Sequence, residues 1–168
     1  MEITMPKTDD HFTKAHLQSL FTYADGHLYW KDRKGRRTAG TLAGTPSHHY
    51  HQICIDYKLY RAHRLIWAFH YGPSQISIDH INGNAFDNRI ENLRECTTNE
   101  NHHNSKRPKS NTSGVKGVSW CKQKQKWRAR IGVDGKEFHI GFFNSVKEAE
   151  KTIAKKREQL HGVFARNV

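Results

Sequence analysis

The sequence predicts an α+β chain made of two small modules, and three observations carry that expectation. Short aromatic-rich or alternating runs, bounded by turn residues, read as strands, and stretches with apolar residues three and four apart read as helices. The charge is unevenly spread. Residues 1–105 hold 12 Lys/Arg and 11 Asp/Glu, whereas residues 106–168 hold 16 and 5. Between them lies Lys106–Gly114, "KRPKSNTSG", a polar, basic, aperiodic stretch of the kind that links domains. At 168 residues the chain suits one domain or two small ones.

Residues 1–10 carry no pattern and read as a frayed end. "HLQSLFTYADGHLYWK" places Asp25-Gly26 between aromatic-rich runs, a hairpin signal. "RKGRRTAGTLAGTPS" is Gly-rich and basic, hence loop. "YHQICIDYKLYRAH" reads as a second hairpin turning near Asp56–Lys58. Ala62, Leu65, Ile66 and Phe69 then fall on one helical face, ended by Tyr71-Gly72-Pro73.

The next stretch, Ile78–Asn104, reads "IDHINGNAFDNRIENLRECTTNENHHN" and is crowded with Asp, His and Asn. "ISID" is a short strand ending at Asp79, "NGNAFDN" a loop of turn formers, and "NLREC" a second strand. Thr97 precedes Glu100 by three, a capping box that opens a helix at "NENHHN". A strand–loop–strand–helix order can bring Asp79 and His80 against the first turn of that helix, where Asn101 and Asn104 lie. This donor set suits one hard divalent cation: Asp79 gives an anionic oxygen, Asn101 a neutral one, and Mg²⁺ accepts such sparse oxygen ligation. His80, on the other side of the strand from Asp79, is placed to act as a general base on water. Asn92 is a candidate to hydrogen-bond the imidazole and fix its tautomer. The competing readings are a run of solvated turns, a calcium loop, for which the acidic residues are few, and a zinc site, for which His and Cys are too widely spaced.

These residues resemble the HNH endonuclease family, in the form common in phage and intron homing enzymes. Asp79-His80, Asn82-Gly83-Asn84, Asp87-Asn88, Asn92-Leu93-Arg94, Thr97 and Glu100-Asn101 fall in the family's order, and "YRAHRLIWAFHYG" resembles the helix before its motif. The resemblance implies a ββα-metal (His-Me finger) module over residues 1–105, with its core motif at 78–104, that cleaves DNA phosphodiesters. It assigns His80 as general base, Asp79 and Asn101 as ligands of one Mg²⁺ (or Mn²⁺), and Asn92 as the residue orienting the base. Many members carry His where this chain has Asn101, with His102 and His103 beside it, so Asn101, His102 and Asn104 all remain candidates for the second ligand. Arg61, Arg64, Arg89 and Arg94 are candidates either for phosphate contact or for ordinary ion pairs.

The last segment is patterned again. "GVSWCK", "KWRARIGV" and "KEFHIGFF" read as three strands, with Asp134-Gly135 turning between the second and third. Ser145 and Glu148 form a capping box for a helix near Val146–Leu160, closed by Gly162. Alternation places Trp127, Ala129 and Ile131 on one face and Arg128 and Arg130 on the other; likewise Phe138 and Ile140 oppose Glu137 and His139. Ala149, Ile153 and Leu160 are the helix residues expected to cover the apolar face. The polar face presents Arg128, Arg130 and His139 to bases in a major groove, with Lys122, Lys124 and Lys126 suited to phosphates. Residues 115–168 resemble the APETALA-like DNA-binding domain of ethylene-response transcription factors, which also occurs fused to HNH nucleases in phage. The shared markers are Gly117-Val118, Trp127, "HIGFF" and the "EA" that starts the helix. The resemblance implies a three-stranded antiparallel sheet packed on one helix.

Together these readings predict a sequence-directed endonuclease acting on double-stranded DNA, nicking one strand as a monomer. The rivals are a DNA-binding regulator with an inactive nuclease module and an RNA-directed nuclease. A net charge of +12 favours a polyanionic partner. Cys54, Cys96 and Cys121 form no paired framework, which argues against a disulfide scaffold. The first residues lack an apolar signal core and no run approaches a membrane span, so the expected location is the cytoplasm, of a host cell if phage-encoded.

Overall fold

The computed structural model describes residues 12–33, 38–104, 110–133 and 135–165. It divides into two compact units, Met1–Cys96 and Thr97–Val168. The helix that closes the Asp/His/Asn stretch therefore groups with the second unit.

In the first unit, α1 (Lys14–Leu20) leads into an antiparallel hairpin of β1 (Phe21–Ala24) and β2 (His27–Trp30). The first hairpin arm is thus shorter than the sequence suggested. Thr13 caps α1 by accepting a 3.2 Å hydrogen bond from the His16 N–H, and Leu17 of α1 is fully buried. A second antiparallel sheet has the order β3 (Thr45–Pro46), β4 (His51–Ile55), β5 (Lys58–Arg61). Its β4–β5 turn is Asp56-Tyr57, both with positive φ. Thr45–Pro46 lies inside the segment expected to be loop. Helix α2 (Ala62–Tyr71) follows directly and ends at Gly72. Its buried side, Ala62, Leu65, Ile66 and Ala68, meets Leu17, Phe21, Leu28, Ile53 and Ile55 in one core. Phe69, expected on this side, is partly buried against the same core.

The pair β6 (Ser77–His80) and β7 (Leu93–Cys96) completes the unit. Ile78 and Leu93 anchor it in the core, at about 1.5–3 kcal/mol for each buried side chain. A 3₁₀ turn, Ile90–Asn92, precedes β7. The β1–β2 hairpin braces the loop between β6 and β7. The Tyr23 hydroxyl accepts a 2.9 Å hydrogen bond from the Ile90 N–H, and a Cβ on Gly26 (φ +79°) would sit 2.7 Å from the Arg89 nitrogen. Only glycine allows that approach.

The second unit opens with α3 (Thr98–His103). A three-stranded antiparallel sheet follows in the order β10 (Lys136–Phe143), β9 (Lys126–Val133), β8 (Val118–Cys121). Helix α4 (Val146–His161) is capped by Ser145, whose hydroxyl accepts from the Glu148 N–H at 3.2 Å, and ends at Gly162. Val118, Ala129, Ala149 and Ile153 are the buried centre of this unit. Three expectations are corrected here. Leu160 is 40% exposed, because the buried stripe continues at spacing four through Ala149, Ile153, Arg157 and His161. Arg157 donates to the Lys116 carbonyl at 2.7 Å, and His161 Nε2 donates to the Gly132 carbonyl at 3.0 Å, so each polar end is tied to the backbone. Phe138 lies opposite buried Ile131 but stays 48% exposed at the sheet edge. Part of the expected linker is folded onto the sheet: Asn111 Nδ2 and Ser113 Oγ donate to the Val115 and Val118 carbonyls. Residues 105–109 and Asp134 of the expected turn lie outside the described residues.

Candidate active site

Register places the site. Asp79 lies opposite Arg94 and His80 opposite Leu93, so the two neighbours point to opposite faces of the β6–β7 pair. Both are buried, at 8% and 5% exposure. Arg94 donates from two nitrogens to Asp79 Oδ2, at 3.2 and 3.1 Å, which orients the carboxylate.

On the other face, His80 Nε2 lies 2.8 Å from Asn88 Oδ1. An amide oxygen only accepts, so Nε2 carries the proton of the neutral ring and the lone pair resides on Nδ1. Asn88 is 2% exposed. The imidazole also meets His63 of α2, edge to face, with centroids 4.9 Å apart and planes at 67°. His63 is 3% exposed, its other ring neighbour is Tyr50 at 5.4 Å, and Arg61 lies over the Tyr50 ring. Burial, and then the charges of His80, Arg61 and Arg64, push the His63 pKa down to about 3, so His63 is neutral at ordinary pH.

The loop between the strands is a closed hydrogen-bond network. Asn92 Nδ2 donates to the Asp87 carbonyl at 2.7 Å and to Asn82 Oδ1 at 3.1 Å, while Asn92 Oδ1 accepts from the Asn82 N–H at 3.0 Å. Asp87 is gripped by Arg89 through two 2.8 Å bonds and by Asn82 through a third. The Arg89 hydrogen bond holds the Asp87 carboxyl well below the usual carboxylate range. The expectation that Asn92 holds the imidazole is corrected: its amide is fully used in shaping the loop, and Asn88 takes the imidazole. Sequence reading counted Asn88 among the loop formers. The signal that singles it out is its burial, which only the fold reveals.

Asn101 and Asn104 stand in the second unit. Thr97 and Glu100 cap α3 in both directions, with the Thr97 N–H donating to Glu100 Oε2 at 2.7 Å and the Glu100 N–H donating to Thr97 Oγ1 at 3.3 Å. Asn101 is exposed and Asn104 is 6% exposed. The arginines considered for phosphate are engaged within the fold: Arg94 on Asp79, Arg89 on Asp87, Arg64 on the Ser74 and Ile76 carbonyls, and Arg61 on Tyr50.

In the second unit, the face of the sheet turned away from α4 carries Arg128, Arg130 and His139, with Arg130 directly opposite His139. Arg130 is paired with Glu137. Arg128 makes no side-chain hydrogen bond or ion pair among the described residues, and its Nε is a buried donor without a partner. Lys122 and Lys124 lie in the β8–β9 turn and Lys126 begins β9. Among the described residues no helix is long and apolar enough to cross a membrane.

Comparison with known proteins agrees with the geometry of the first unit. The model of the HNH endonuclease family matches residues 60–103, a span that contains His63, Asp79, His80, Asn88, Asn92 and Asn101. Protein 3.8 of Escherichia phage T7 is 41% identical over 112 residues, which is 66% of this chain and 92% of that protein. No solved structure matches. With the motif in order, its histidine and aspartate on adjoining strand positions and its loop closed by asparagines, the chain belongs to the HNH endonuclease family.

Proposed function

We propose that the chain is a metal-dependent DNA endonuclease in which a water activated by His80 hydrolyses one phosphodiester per site, while the second unit holds the enzyme on duplex DNA. The observation that carries this reading is the buried 2.8 Å contact between His80 Nε2 and Asn88 Oδ1, which leaves Nδ1 as the basic nitrogen. Nδ1 takes a proton from water, the water oxygen bonds to phosphorus, and the bond to the 3′ oxygen breaks. The departing 3′ oxygen is protonated from solvent. Asn88 fixes the tautomer, His63 confines the ring, and Asn92 holds the loop that carries Asn88.

The donor chemistry fits one hard cation, Mg²⁺ with Mn²⁺ as the alternative. Asp79 and Asn101 would hold it, with Asn104 and His102 as alternatives for the second ligand; the pairing rests on the order of the motif. Mg²⁺ accepts such sparse oxygen ligation. Such an ion, when bound, polarises the phosphate and stabilises charge on the leaving oxygen.

The second unit, a basic sheet backed by one helix, supports the APETALA-like reading: Arg128, Arg130 and His139 face bases, and Lys122, Lys124 and Lys126 face phosphates. One ββα-metal site cuts one strand, so a monomer nicks. The homing-type motif and the phage relative support a phage-encoded enzyme working in the host cytoplasm. Incubation with supercoiled plasmid and Mg²⁺ tests the whole. Open circles are expected, with linear DNA arising only through second events. Plasmid that is bound but left supercoiled would sink the enzyme reading in favour of a regulator, and faster cleavage of RNA hairpins than of duplex DNA would redirect it to RNA.

A further inference from the structure

We propose that Phe142 is a stacking platform for one unpaired DNA base, set in the basic sheet face of the second unit; the inference rests on reading that face as the DNA-binding surface. The strand β10 carries a bulge between His139 and Gly141, so the register passes from His139 opposite Arg130 to Gly141 opposite Ala129 and Phe142 opposite Arg128. Residues directly opposite in an antiparallel pair share a face. The bulge therefore turns Phe143 towards the core and Phe142 towards the polar face, the kind of re-aiming that bulges perform. Phe142 is 37% exposed, so part of its ring stays open to solvent on that face.

Its surroundings have the chemistry of a nucleotide. The His139 ring lies 4.7 Å away at 50°, and Lys124 Nζ stands 5.9 Å from the ring centroid. Ser119, Arg128 and Phe142 form one row across the three strands. Within that row the Ser119 hydroxyl and Arg128 Nε are both shielded polar atoms without a partner among the described residues. Arg130, one row away, is instead committed to Glu137. An aromatic face flanked by uncommitted cations is how proteins hold a base by its π surface and its phosphate by charge. Only a base displaced from the stack offers such a surface, so the partner is DNA with an unpaired or displaced nucleotide.

The test compares binding of the full chain to a fully paired duplex and to the same duplex with one base opposite an abasic site. The wild type is expected to prefer the second roughly tenfold. Phe142→Trp should keep the preference. Phe142→Leu should bring the ratio near one and leave paired-duplex affinity within about twofold. A wild-type ratio of one, a preference that survives Phe142→Leu, or one that vanishes in Phe142→Trp with its melting temperature unchanged overturns the proposal. Arg128→Ala separates it from the reading beneath it. If Arg128→Ala weakens both duplexes while Phe142→Leu changes nothing, stacking fails and the DNA face stands. If combined loss of Arg128, His139 and Lys124 leaves paired-duplex binding intact, the DNA face itself fails. Tighter binding to an RNA of the same design overturns the assignment to DNA.

Discussion

The two units use antiparallel strands in opposite ways. In the β6–β7 pair Asp79 and His80 are buried on opposite faces, with their polar atoms tied to Arg94 and Asn88. The β8–β9–β10 sheet buries one face against α4 and leaves Arg128, Arg130, His139 and Phe142 on the other. A buried polar group is costly unless its bonds are made, so the contacts to Arg94 and Asn88 hold Asp79 and His80 in one geometry. Arg128 and Arg130 are only partly enclosed, and a guanidinium that reaches solvent can follow the shape of its ligand. The first arrangement suits positioning a reacting atom; the second suits holding a long polyanion. Mutations around Asp79 and His80 should therefore alter turnover, and those on the open face of the β8–β9–β10 sheet should alter affinity.

His80→Ala is the severest test of that division. Loss of the general base should lower plasmid nicking by roughly 10²–10⁴-fold and leave duplex affinity within about twofold. Equal loss of binding would mean that the two functions are not separated.

The two buried asparagines sharpen the comparison within the first unit. Asn88→Ala removes the acceptor that sets the His80 tautomer and should lower kcat by roughly 10–100-fold with KM little changed, an effect of the size seen when groups orienting a catalytic ligand are lost. Asn92→Ala instead unmakes three loop hydrogen bonds. It should depress the melting temperature by more than Asn88→Ala does, because the partly buried Asn82 N–H and Asp87 carbonyl both lose their partner. If Asn92→Ala changes kcat at an unaltered melting temperature, the roles assigned to the two asparagines are reversed.

What the sequence revealed and what it hid follow from range. Both capping boxes, Thr97 with Glu100 and Ser145 with Glu148, are contacts over three residues and were legible as written. So were the Asp25-Gly26 and Asp56-Tyr57 turns, since alternation on either side leaves a two-residue connection. The Asn88–His80 contact spans an irregular loop containing four asparagines, and no periodicity says which of them turns inward. The bulge in β10 shifts the alternation by one, which strand-pattern reading cannot foresee. The buried stripe of α4 ends in Arg157 and His161, where an apolar residue was sought and Leu160 offered.

His63 allows the buried side of the comparison to be tested by pH. Its folded pKa of about 3 lies below the ordinary value of 6.5, so below pH 6.5 the unfolded chain takes up a proton that the native state refuses. Stability is then lost progressively as pH falls from about 6.5 towards 3, amounting to about 2 kcal/mol at pH 5. Urea unfolding at pH 7 and pH 5 should show this loss in the wild type and a smaller loss in His63→Phe. An equal loss in both would place the titration elsewhere.

The smallest effects belong to the exposed sheet face, where Arg128 and Arg130 differ only in commitment. Arg128 has no acid partner among the described residues, whereas Arg130 must be shared with Glu137. Arg128→Ala should weaken duplex binding by about 5–10-fold and Arg130→Ala by about 2–3-fold, in the range of one side chain's contact with nucleic acid. Glu137→Gln should reverse part of that difference by releasing Arg130, tightening binding about twofold and steepening the salt dependence by about one ion. Fluorescence titration of a labelled duplex across a salt series measures both. If Glu137→Gln weakens binding, the Arg130–Glu137 pair is holding the guanidinium in its working position rather than withholding it from DNA.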